Sequence, residues 1–293
     1  MNINERNWTV CSVLDWTADY FSRNGLPEAR TDAEVLLSHV LYCPRLELHL
    51  KKDEKVPVKK LSQFSRLIIE RRKRKPAAYI TGEKEFMGLS FKVNENTLIP
   101  RPETEFLVEA AIAELSGHKG NIVADVGAGC GNIAVSIAKN ADVEKIYALD
   151  VSAEALFTAQ ENVFRHGLAA RIVLKRGDLF EALAGENLEG GVDLIVSNPP
   201  YVAVEESGQL EPELKYEPQI ALFGGKDGLD FYRRISAEAQ RYLKPSGAVI
   251  VELNARRSMF IREIFENAGY RVEAVLKDYS GLDRIMIMRA ANG

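Results

Sequence analysis

The sequence predicts an α/β fold, a mostly parallel sheet with an antiparallel edge strand, preceded by a small all-helical N-terminal domain. Residues 1–75 show helical periodicity alone, whereas strand and helix signals alternate from about residue 100 to the end. The last two strand candidates are joined by residues 277–283, a loop too short for a helical crossover, which predicts an antiparallel pair. A length of 293 residues accommodates one mid-sized domain and one small domain.

The predicted helical domain covers residues 1–75, where apolar side chains recur with helical spacing. Its helical segments begin near Cys11, Thr31, Leu46 and Pro57. The last segment runs into the basic residues 71–75, which we interpret as a solvated helix end that the helix dipole favours. Docking of an acidic partner on the same residues is the alternative interpretation.

A change of pattern follows Pro76. Residues 76–97 alternate weakly around Gly82 and Gly88, which predicts a hairpin-like linker. The remaining domain, residues 98–293, contains strand candidates with helical stretches between most of them. These candidates are 121–126, 145–150, 172–175, 193–197, 248–253, 270–276 and 284–289. Because helical crossovers join parallel strands, the alternation predicts a parallel sheet over most of its width.

The composition argues against several classes of function. The net charge of −4 lacks the basic excess that a protein holding a long nucleic acid usually shows. The four histidines and three cysteines lie at no metal-ligand spacing, so we expect no metal site and reduced thiols. No apolar run approaches the roughly 18 residues that cross a membrane. The N-terminus lacks the pattern of a secretion signal, so a cytoplasmic location is expected.

A glycine turn follows the first strand candidate of the sheet and opens a helix. It consists of Gly127, Ala128, Gly129, Cys130 and Gly131. Glycines permit a tight turn and close approach of a ligand to the backbone, and the third one comes a residue earlier than in a dinucleotide fingerprint. The spacing resembles the first motif of Rossmann-like class I methyltransferases. That resemblance implies that the turn wraps the methionine part of S-adenosylmethionine and that Asp125 helps to hold its ammonium group.

Two further acidic residues follow the next strands of the predicted sheet. Asp150 ends the second strand, where a carboxylate can accept hydrogen bonds from both hydroxyls of a ribose. Asp178 follows the third strand and resembles the acid that accepts from an adenine amine, with Leu179 against the ring. Together with the glycine turn, these residues predict a site for a nucleoside-type cofactor.

A proline motif, residues 198–201, carries the chemistry of the methyl acceptor. An apolar strand runs into Asn198, Pro199, Pro200 and Tyr201 at the carboxyl edge of the sheet, where α/β proteins bind ligands. The two prolines fix the backbone and remove two N–H donors. The Asn198 side-chain oxygen and the Pro199 carbonyl can therefore accept both hydrogens of a planar –NH2 group, with Tyr201 as an aromatic wall beside it.

A planar –NH2 nitrogen has a delocalised lone pair and is a poor nucleophile. Two aimed acceptors select the group, orient it and stabilise the positive charge that develops during alkylation. We interpret the site as a methyltransferase centre that needs no metal, covalent nucleophile or general base, and we expect a rate independent of pH near neutrality. The motif alone leaves two acceptors open, the exocyclic amine of adenine and the side-chain amide of glutamine.

A second motif distinguishes these acceptors. Residues 99–105 read Ile-Pro-Arg-Pro-Glu-Thr-Glu just before the sheet. Together with the proline motif, they resemble the peptide chain release factor glutamine methyltransferase family. The resemblance spans nearly the whole chain and continues in the stretches 29–37, 76–86, 217–229 and 277–284.

The resemblance implies a bacterial enzyme that methylates the glutamine of a Gly-Gly-Gln loop in class 1 release factors and releases S-adenosyl-L-homocysteine. It also implies that the small helical domain helps to seat the release factor. The residues implied to hold the glutamine amide are Asn198, Pro199, Pro200 and Tyr201. Those implied to hold the cofactor are Asp125, residues 127–131, Asp150, Asp178, Leu179 and Asn198. Those implied to close over the cofactor are Arg101, Pro102, Glu103 and Thr104.

Two alternatives stay open at this point. A sister family methylates a glutamine of a ribosomal protein with nearly the same core, although its counterpart of residues 99–105 lacks this run. An adenine-amine methyltransferase acting on nucleic acid would need a basic groove or a base-flipping domain, against which a pI of about 5.8 argues. One residue departs from the family pattern, since Cys130 stands where a small hydroxyl residue or glycine is more usual.

Overall fold

The computed structural model of the chain describes residues 8–291, which form two compact units. One unit holds the described chain up to Glu83 together with Glu211–Tyr216, and the other holds the remainder. Residues 1–7 and 292–293 of the predicted domains lie outside the described residues, and so does the start of the N-terminal segment that lacks a secretion-signal pattern. The predicted domain borders, after residues 75 and 97, stay predictions.

The first unit is helical, as the sequence predicts. Its α-helices are α1 (Val10–Arg23), α2 (Ala29–Leu41), α3 (Arg45–Leu50), α4 (Val58–Arg72) and α5 (Ala77–Thr81). A capping box between Thr9 and Ser12 fixes the start of α1, because each side chain accepts a hydrogen bond from the backbone of the other. Sequence reasoning missed α5, since its 5 residues hold little more than one helical turn.

Apolar side chains from these helices meet in one core. Val13 and Phe21 of α1, Leu36 and Leu37 of α2, and Phe64 of α4 are fully buried. Helical spacing places each of these residues on the inward face of its helix. Removal of this apolar surface from water is the main force that holds the helices together.

The basic segment 71–75 is not a uniformly solvated helix end. Arg71 is buried, and it donates from Nε to Asp32 at 2.8 Å and from Nη2 to Glu213 at 3.0 Å. Arg74 donates to the same Glu213 carboxylate at 3.0 Å. Burial raises the pKa of Asp32, and the Arg71 charge opposes this rise. The interpretation of the run as a solvated helix end is therefore wrong for Arg71, which is neutralised inside its own unit.

The hairpin predicted within residues 76–97 is present between β1 (Glu83–Phe86) and β2 (Leu89–Lys92). Its turn places Met87 and Gly88 at φ values of 51° and 68°. Positive φ at both central residues is typical of a type I′ turn, which matches the twist of the flanking strands. The Met87 N–H donates to the Glu105 carboxylate at 2.6 Å, which stabilises a conformation that methionine rarely adopts.

The second unit is built on a seven-stranded sheet that follows the predicted strands closely. The strands are β3 (Asn121–Val126), β4 (Val143–Asp150), β5 (Ile172–Arg176), β6 (Val192–Ser197), β7 (Leu243–Glu252), β8 (Tyr270–Lys277) and β9 (Asp283–Ala290). They lie in the order β5-β4-β3-β6-β7-β9-β8. Strand β9 runs antiparallel to both β7 and β8, so the antiparallel strand is second from the edge and β8 forms the edge itself.

Apolar cores lie on both faces of this sheet. The helices of the unit are α6 (Glu105–Leu115), α7 (Asn132–Asn140), α8 (Ala153–Arg165), α9 (Asp230–Glu238) and α10 (Ser258–Asn267). Neighbouring residues of one strand belong to different cores, as Leu194 packs with α6 and α7 while Ile195 packs with α9 and α10. Successive side chains of a strand point to opposite faces, so the sheet is covered on both sides, as in other α/β proteins.

The order of the strands reverses between β3 and β6, at the centre of the sheet. Val126, the last residue of β3, pairs with Leu149 of β4 and with Ser197 of β6, so the three carboxyl ends lie level. Ligands of such sheets bind outside the carboxyl ends at the point of reversal. The glycine turn and the proline motif follow β3 and β6, and Asp150 is the last residue of β4.

Helix α4, with 15 residues, is the longest α-helix in the described part of the chain. None of the helices between residues 8 and 291 is long and apolar enough to span a membrane. Over the same residues, no three histidine, cysteine or acidic side chains are grouped so that they could hold a metal ion.

Candidate active site

A cavity of about 250 Å³ opens at the carboxyl ends of β3, β4 and β6. The predicted site residues that line it are Gly127, Gly129, Asp150, Asp178, Leu179, Asn198, Pro199 and Pro200. Lining residues that the sequence analysis missed include Asn96, Ser152, Ile220, Phe231 and Arg234. The cavity therefore joins the predicted cofactor loops to the proline motif.

The glycine turn presents its backbone to this cavity. Gly127, Gly129 and Gly131 have φ values of 82°, 55° and 79°, which residues with a Cβ rarely adopt. A Cβ on Gly127 or Gly129 would meet no protein atom within 4 Å, so both positions open on space that a ligand can fill. A Cβ on Gly131 would lie 3.3 Å from the Ala159 Cβ, so this glycine permits close packing against α8.

Asp125 lies near the end of β3, fully buried and outside the cavity lining. One carboxylate oxygen accepts from the Ala134 N–H at 3.1 Å, and the other, Oδ1, has no hydrogen-bond partner among the described residues. Burial raises the pKa of Asp125 to about 7, and the Ala134 hydrogen bond opposes this rise. A buried carboxylate oxygen without a partner suits a cationic group, but Asp125 does not line the cavity, so its contact with the ammonium of S-adenosylmethionine stays a prediction.

Asp150 ends β4 at the edge of the cavity. Its carboxylate oxygens accept from the backbone N–H of Gly129 at 2.8 Å and of Ser152 at 2.9 Å. Burial raises the pKa of Asp150, and these backbone hydrogen bonds oppose the rise. The carboxylate thus holds the glycine turn in place, and its remaining lone pairs suit the two hydroxyls of a ribose.

Asp178 and Leu179 line the cavity beyond β5. Asp178 forms a half-exposed ion pair with Arg234 of α9, with 2.8 Å between Oδ2 and Nη2. An adenine amine would therefore share this carboxylate with Arg234. Leu179 has a φ of 50°, and such strained backbone clusters at ligand sites. The adenine contacts of both residues stay predictions.

Asn198 stands at the end of β6, and two further residues set the direction of its amide. The Asn198 Nδ2 donates to the Thr104 hydroxyl at 3.1 Å, and that hydroxyl donates to the Glu252 carboxylate at 2.7 Å. A hydroxyl has one hydrogen and an ionised carboxylate only accepts, so both bonds have a fixed direction when Glu252 is ionised. This relay of Asn198, Thr104 and Glu252 leaves the Asn198 Oδ1 as the acceptor for a bound ligand.

Glu252 is the buried end of the relay, at the end of β7 with 1% exposure. Burial raises its pKa to about 7, against the opposing effects of the Thr104 hydrogen bond and the Arg284 charge. A group with this pKa changes its charge close to neutral pH. The sequence suggests a rate that is independent of pH. A supporting residue that titrates near neutral pH favours a rate that depends on pH.

The segment predicted to close over the cofactor, residues 101–104, lies outside the cavity lining. Arg101 pairs with one oxygen of the buried Glu217, and the other oxygen accepts from the Ile99 N–H at 3.0 Å. Thr104 is buried and supports Asn198 from behind. A contact of this segment with the cofactor stays a prediction.

Pro102 and Glu103 of that segment line a separate depression of about 170 Å³. Phe106 and Tyr279 also line it, and their rings meet edge to face with centroids 4.9 Å apart. Adjacent side chains of this segment therefore point in different directions. Thr104 contacts Asn198, and Glu103 lines the depression.

The members of the proline motif occupy different positions. Pro199 and Pro200 line the cavity, whereas Tyr201 lies outside the lining and packs half-buried against the core shared with α9 and α10. Burial raises the pKa of Tyr201 to about 12, and the Glu252 charge adds to the rise. Tyr201 therefore stays protonated at neutral pH, and its packing against the acceptor group stays a prediction.

Two glycines support the proline motif by allowing close backbone contacts. A Cβ on Gly224 would lie 2.4 Å from the Pro200 carbonyl oxygen, and one on Gly228 would lie 2.4 Å from the Tyr201 carbonyl oxygen. The Gly224 N–H donates to the Val202 carbonyl at 2.9 Å. Only glycine permits these distances, which gives a packing reason for a stretch that the sequence analysis recognised by resemblance alone.

Ala128, Cys130 and Gly131 are buried within the glycine turn and do not line the cavity. Burial raises the pKa of Cys130 to about 12, so its thiol stays protonated and is a weak nucleophile. The Cys130 Sγ lies 3.4 Å from the Asn132 Oδ1, to which it donates. The thiol thus acts as a hydrogen-bond donor within the glycine turn.

Sequence reasoning missed the side chains that support the site from behind. Glu252 ends β7 beside the strand that carries Asn198, and its place at a strand end was an available signal. Glu217 lies in the stretch 217–229 of the family resemblance, which implies no role for it. No sequence signal marks Phe231 and Arg234, which lie about one turn apart on α9.

Comparison with protein families matches the two parts of the chain separately. Residues 12–82 match the family described as the PrmC N-terminal domain. Residues 102–212 match the methyltransferase small domain, a range that contains the glycine turn and the proline motif.

Relatives match this chain over nearly its full length. A release factor glutamine methyltransferase from Geobacter sulfurreducens is 39% identical over 95% of this chain and 96% of its own. A protein of the same name from Rhodopirellula baltica is 36% identical over 98% of both chains. Among solved structures, a methyltransferase from Pyrococcus furiosus is 23% identical, covers 70% of this chain and 90% of its own, and has a TM-score of 0.52. This last similarity concerns the fold alone.

Proposed function

Because the chain belongs to the release factor glutamine methyltransferase family, we propose that it methylates the glutamine of the Gly-Gly-Gln motif in class 1 peptide chain release factors. It is a protein-glutamine N-methyltransferase, and S-adenosylmethionine is its methyl donor. The relatives' name supports the choice of release factors as the substrate. The observation that carries the proposal is the acceptor oxygen of Asn198 at the cavity.

The residues present fit each part of S-adenosylmethionine. Gly127 and Gly129 leave room along the glycine turn, and Asp125 has a carboxylate oxygen without a partner for the ammonium group. Asp150 has lone pairs for the ribose hydroxyls, and Leu179 offers apolar surface for the adenine ring. When bound, S-adenosylmethionine supplies an electrophilic methyl group that the glutamine amide nitrogen takes.

Asn198 and Pro199 are proposed to hold the glutamine amide. The Asn198 Oδ1 and the Pro199 carbonyl accept its two hydrogens, which orients the nitrogen towards the cavity. The same oxygens stabilise positive charge on the nitrogen as it is alkylated. Neither oxygen takes up the proton that the nitrogen then loses, so the proton passes to water and no general base is required.

The direction of the Asn198 amide distinguishes this site from one for an anionic group. Asparagine can present either its oxygen or its nitrogen to a ligand. The Asn198 Nδ2 donates to the Thr104 hydroxyl, so the Asn198 Oδ1 is the atom that faces the ligand. A site that bound a carboxylate or phosphate would need the opposite direction, with donors facing the ligand.

We further propose that the helical unit seats the release factor. Three apolar side chains at the end of α2 and in α3 are between 74% and 83% exposed, namely Tyr42, Leu46 and Leu50. Exposed apolar clusters on soluble proteins commonly mark surfaces that contact another protein. The match of residues 12–82 to a domain of this family supports the same role.

Parallel reactions with methyl-labelled S-adenosylmethionine test the proposed substrate. The acceptors offered are a purified class 1 release factor, a mixture of ribosomal proteins, and DNA that contains adenine. We expect label on the release factor alone, and peptide mass spectrometry should locate it on the glutamine of the Gly-Gly-Gln motif. Label on a ribosomal protein or on DNA instead would keep the chemistry and overturn the choice of substrate. An Asn198→Ala enzyme prepared in the same way controls for contaminating activity.

A further inference from the structure

We propose that Thr104 and Glu252 are specificity-determining positioning residues that make the site select an amide –NH2 over a carboxylate. They do so by fixing the direction of the Asn198 side chain. Neither residue lines the cavity, so both act through Asn198 rather than on the substrate. The inference rests on the proposed function for its choice of glutamine as the acceptor.

The count of available hydrogens carries this inference. An asparagine amide has an acceptor end and a donor end of nearly equal size, which a half-turn exchanges without a steric cost. Thr104 takes the donor end at 3.1 Å, and its own hydrogen is committed to Glu252 at 2.7 Å. With Asn198 reversed, Oδ1 would face a hydroxyl that has no hydrogen left to give.

Burial makes the reversed state costly. Thr104 is 2% exposed and Glu252 is 1% exposed, so water cannot freely replace a lost partner. Reversal of Asn198 would place two acceptor oxygens against each other and forfeit one hydrogen bond. The loss of one such bond changes the ratio of the two directions by about tenfold or more.

The direction of Asn198 matters because glutamine and glutamate have the same shape. Size cannot separate them, but a site built to accept hydrogens from an –NH2 group rejects an analogue without those hydrogens. A glutamate carboxylate would meet the Asn198 Oδ1 and the Pro199 carbonyl, which are both acceptors. A reversed Asn198 would instead donate to the carboxylate and weaken this discrimination.

Several charges around Glu252 determine whether it is ionised and can only accept the Thr104 hydrogen bond. Burial raises the pKa of Glu252, and the Glu103 charge adds to the rise. The Arg284 and Arg101 charges lower that pKa and favour the ionised carboxylate. Arg284 itself donates to Asp278 at 2.7 Å, so it approaches Glu252 as a charge rather than as a hydrogen-bond partner.

A matched pair of substitutions at Thr104 tests the inference. Thr104→Val keeps the shape and removes the hydroxyl, whereas Thr104→Ser keeps the hydroxyl and removes a methyl group. Glu252→Gln keeps the shape and lets the side chain donate as well as accept. Thr17→Val is the control for the chemical change itself, because Thr17 is a buried threonine of the helical unit whose hydroxyl has no partner in the described structure. Each enzyme is assayed with a release factor, and the Gln→Glu form of that factor serves as a competitive inhibitor.

We expect Thr104→Val and Glu252→Gln to lower kcat by about tenfold or more, and to strengthen binding of the glutamate form relative to the glutamine form by about tenfold. Thr104→Ser should recover most of the kcat and of the glutamine preference, and Thr17→Val should match the wild type. An unchanged glutamine preference in Thr104→Val would overturn the inference. Equal losses in Thr104→Val and Thr104→Ser would also overturn it, since they would assign the effect to packing.

A second readout does not depend on the acceptor. In ¹⁵N-labelled enzyme bound to S-adenosyl-L-homocysteine, the side-chain NH2 signals of Asn198 can be identified by their absence in Asn198→Asp. We expect Thr104→Ser to keep the wild-type signals and Thr104→Val to shift them. If the signals respond in this way but the release factor receives no methyl group, the proposed substrate is wrong and the relay of Asn198, Thr104 and Glu252 is supported. If the signals of Thr104→Val are identical to those of the wild type, the relay is wrong whatever the substrate is.

Discussion

The Asn198 side-chain nitrogen donates a hydrogen bond to the Thr104 hydroxyl at 3.1 Å. This contact links two motifs that are far apart in the sequence, since Thr104 belongs to residues 99–105 and Asn198 to the proline motif. A segment that precedes the sheet thereby decides which end of the Asn198 amide faces the cavity at the end of β6. In the proposed mechanism, selection of an –NH2 group depends on that direction.

Replacement of Asn198 by alanine should separate chemistry from cofactor binding. The change removes an oxygen proposed to hold the glutamine amide, so we expect turnover to fall by about a hundredfold to a thousandfold. The affinity for S-adenosyl-L-homocysteine should change by less than about tenfold, because the glycine turn and Asp150 remain. Single-turnover methyl transfer and calorimetric binding measure the two effects. Equal losses in both would assign Asn198 to the cofactor pocket.

Cofactor binding should strengthen as the pH rises from about 5.5 to about 7.5. Burial raises the pKa of Asp125 to about 7, so this carboxyl is protonated at the lower end of the range and charged at the upper end. Only the charged form attracts the ligand ammonium. The ammonium itself stays protonated at pH values below its own pKa of about 8. Calorimetry with S-adenosyl-L-homocysteine gives the Kd at each pH. Asp125→Asn should bind more weakly with no such rise, and a flat wild-type profile would refute the assigned role of Asp125.

Turnover at saturating cofactor should also rise with pH and level off above about pH 8. Burial raises the pKa of Glu252 to about 7, and only its ionised form is confined to accepting the Thr104 hydrogen. At lower pH the protonated carboxyl can donate to Thr104, which releases the direction of the relay. Glu252→Gln should give a lower rate with a flatter profile. A wild-type kcat that stays constant between about pH 6 and about pH 8 would mean that the charge of Glu252 does not control Asn198.

Substitution of Gly228 by alanine should disrupt the proline motif. The added Cβ would lie 2.4 Å from the Tyr201 carbonyl oxygen, at a residue whose φ is 77°. We expect a loss of at least about 2 kcal/mol in the free energy of unfolding, together with a loss of turnover. Gly208→Ala is the matched control, because a Cβ there would meet nothing within 4 Å. Urea unfolding and methyl transfer compare the two variants, and similar behaviour of both would contradict the packing described.

Removal of the Arg71 side-chain charge should destabilise the helical unit. Arg71 and Asp32 form an ion pair whose side chains are 5% and 10% exposed, so Arg71→Met would leave a buried carboxylate without its partner. The expected loss in the free energy of unfolding is about 3 kcal/mol or more. Arg72→Met should cost less than about 0.5 kcal/mol, since the Arg72 contact with Tyr20 is exposed. Urea unfolding measures both losses. Equal losses would show that the buried ion pair of Arg71 contributes no more to stability than the exposed contact of Arg72.

The sheet and the cofactor loops could be predicted because their signals are local. Strand β3 has the predicted limits at both ends, since an apolar run there passes directly into the glycine turn. Asp150 could be placed because it ends the next apolar run at the same edge of the sheet. The antiparallel position of β9 followed from the short loop before it.

The contacts of the supporting side chains could not be predicted, because their partners are distant in the sequence. Thr104 and Glu252 are 148 residues apart, and Arg101 and Glu217 are 116 apart. Periodicity reports which face of an element is apolar, and it contains no information about which polar groups meet across the sheet. For the same reason, the burial of Arg71 against Asp32 and Glu213 was invisible in a run of basic residues.

The most direct test of the proposed function is methyl transfer from labelled S-adenosylmethionine to a purified class 1 release factor whose Gly-Gly-Gln glutamine is intact or replaced by alanine. The proposed chemistry predicts label on the intact factor, none on the alanine form, and only trace label when the enzyme carries Asn198→Ala. Equal label on both forms would contradict the assigned acceptor residue. No label on either form, with transfer to a ribosomal protein or to DNA instead, would contradict the assigned substrate.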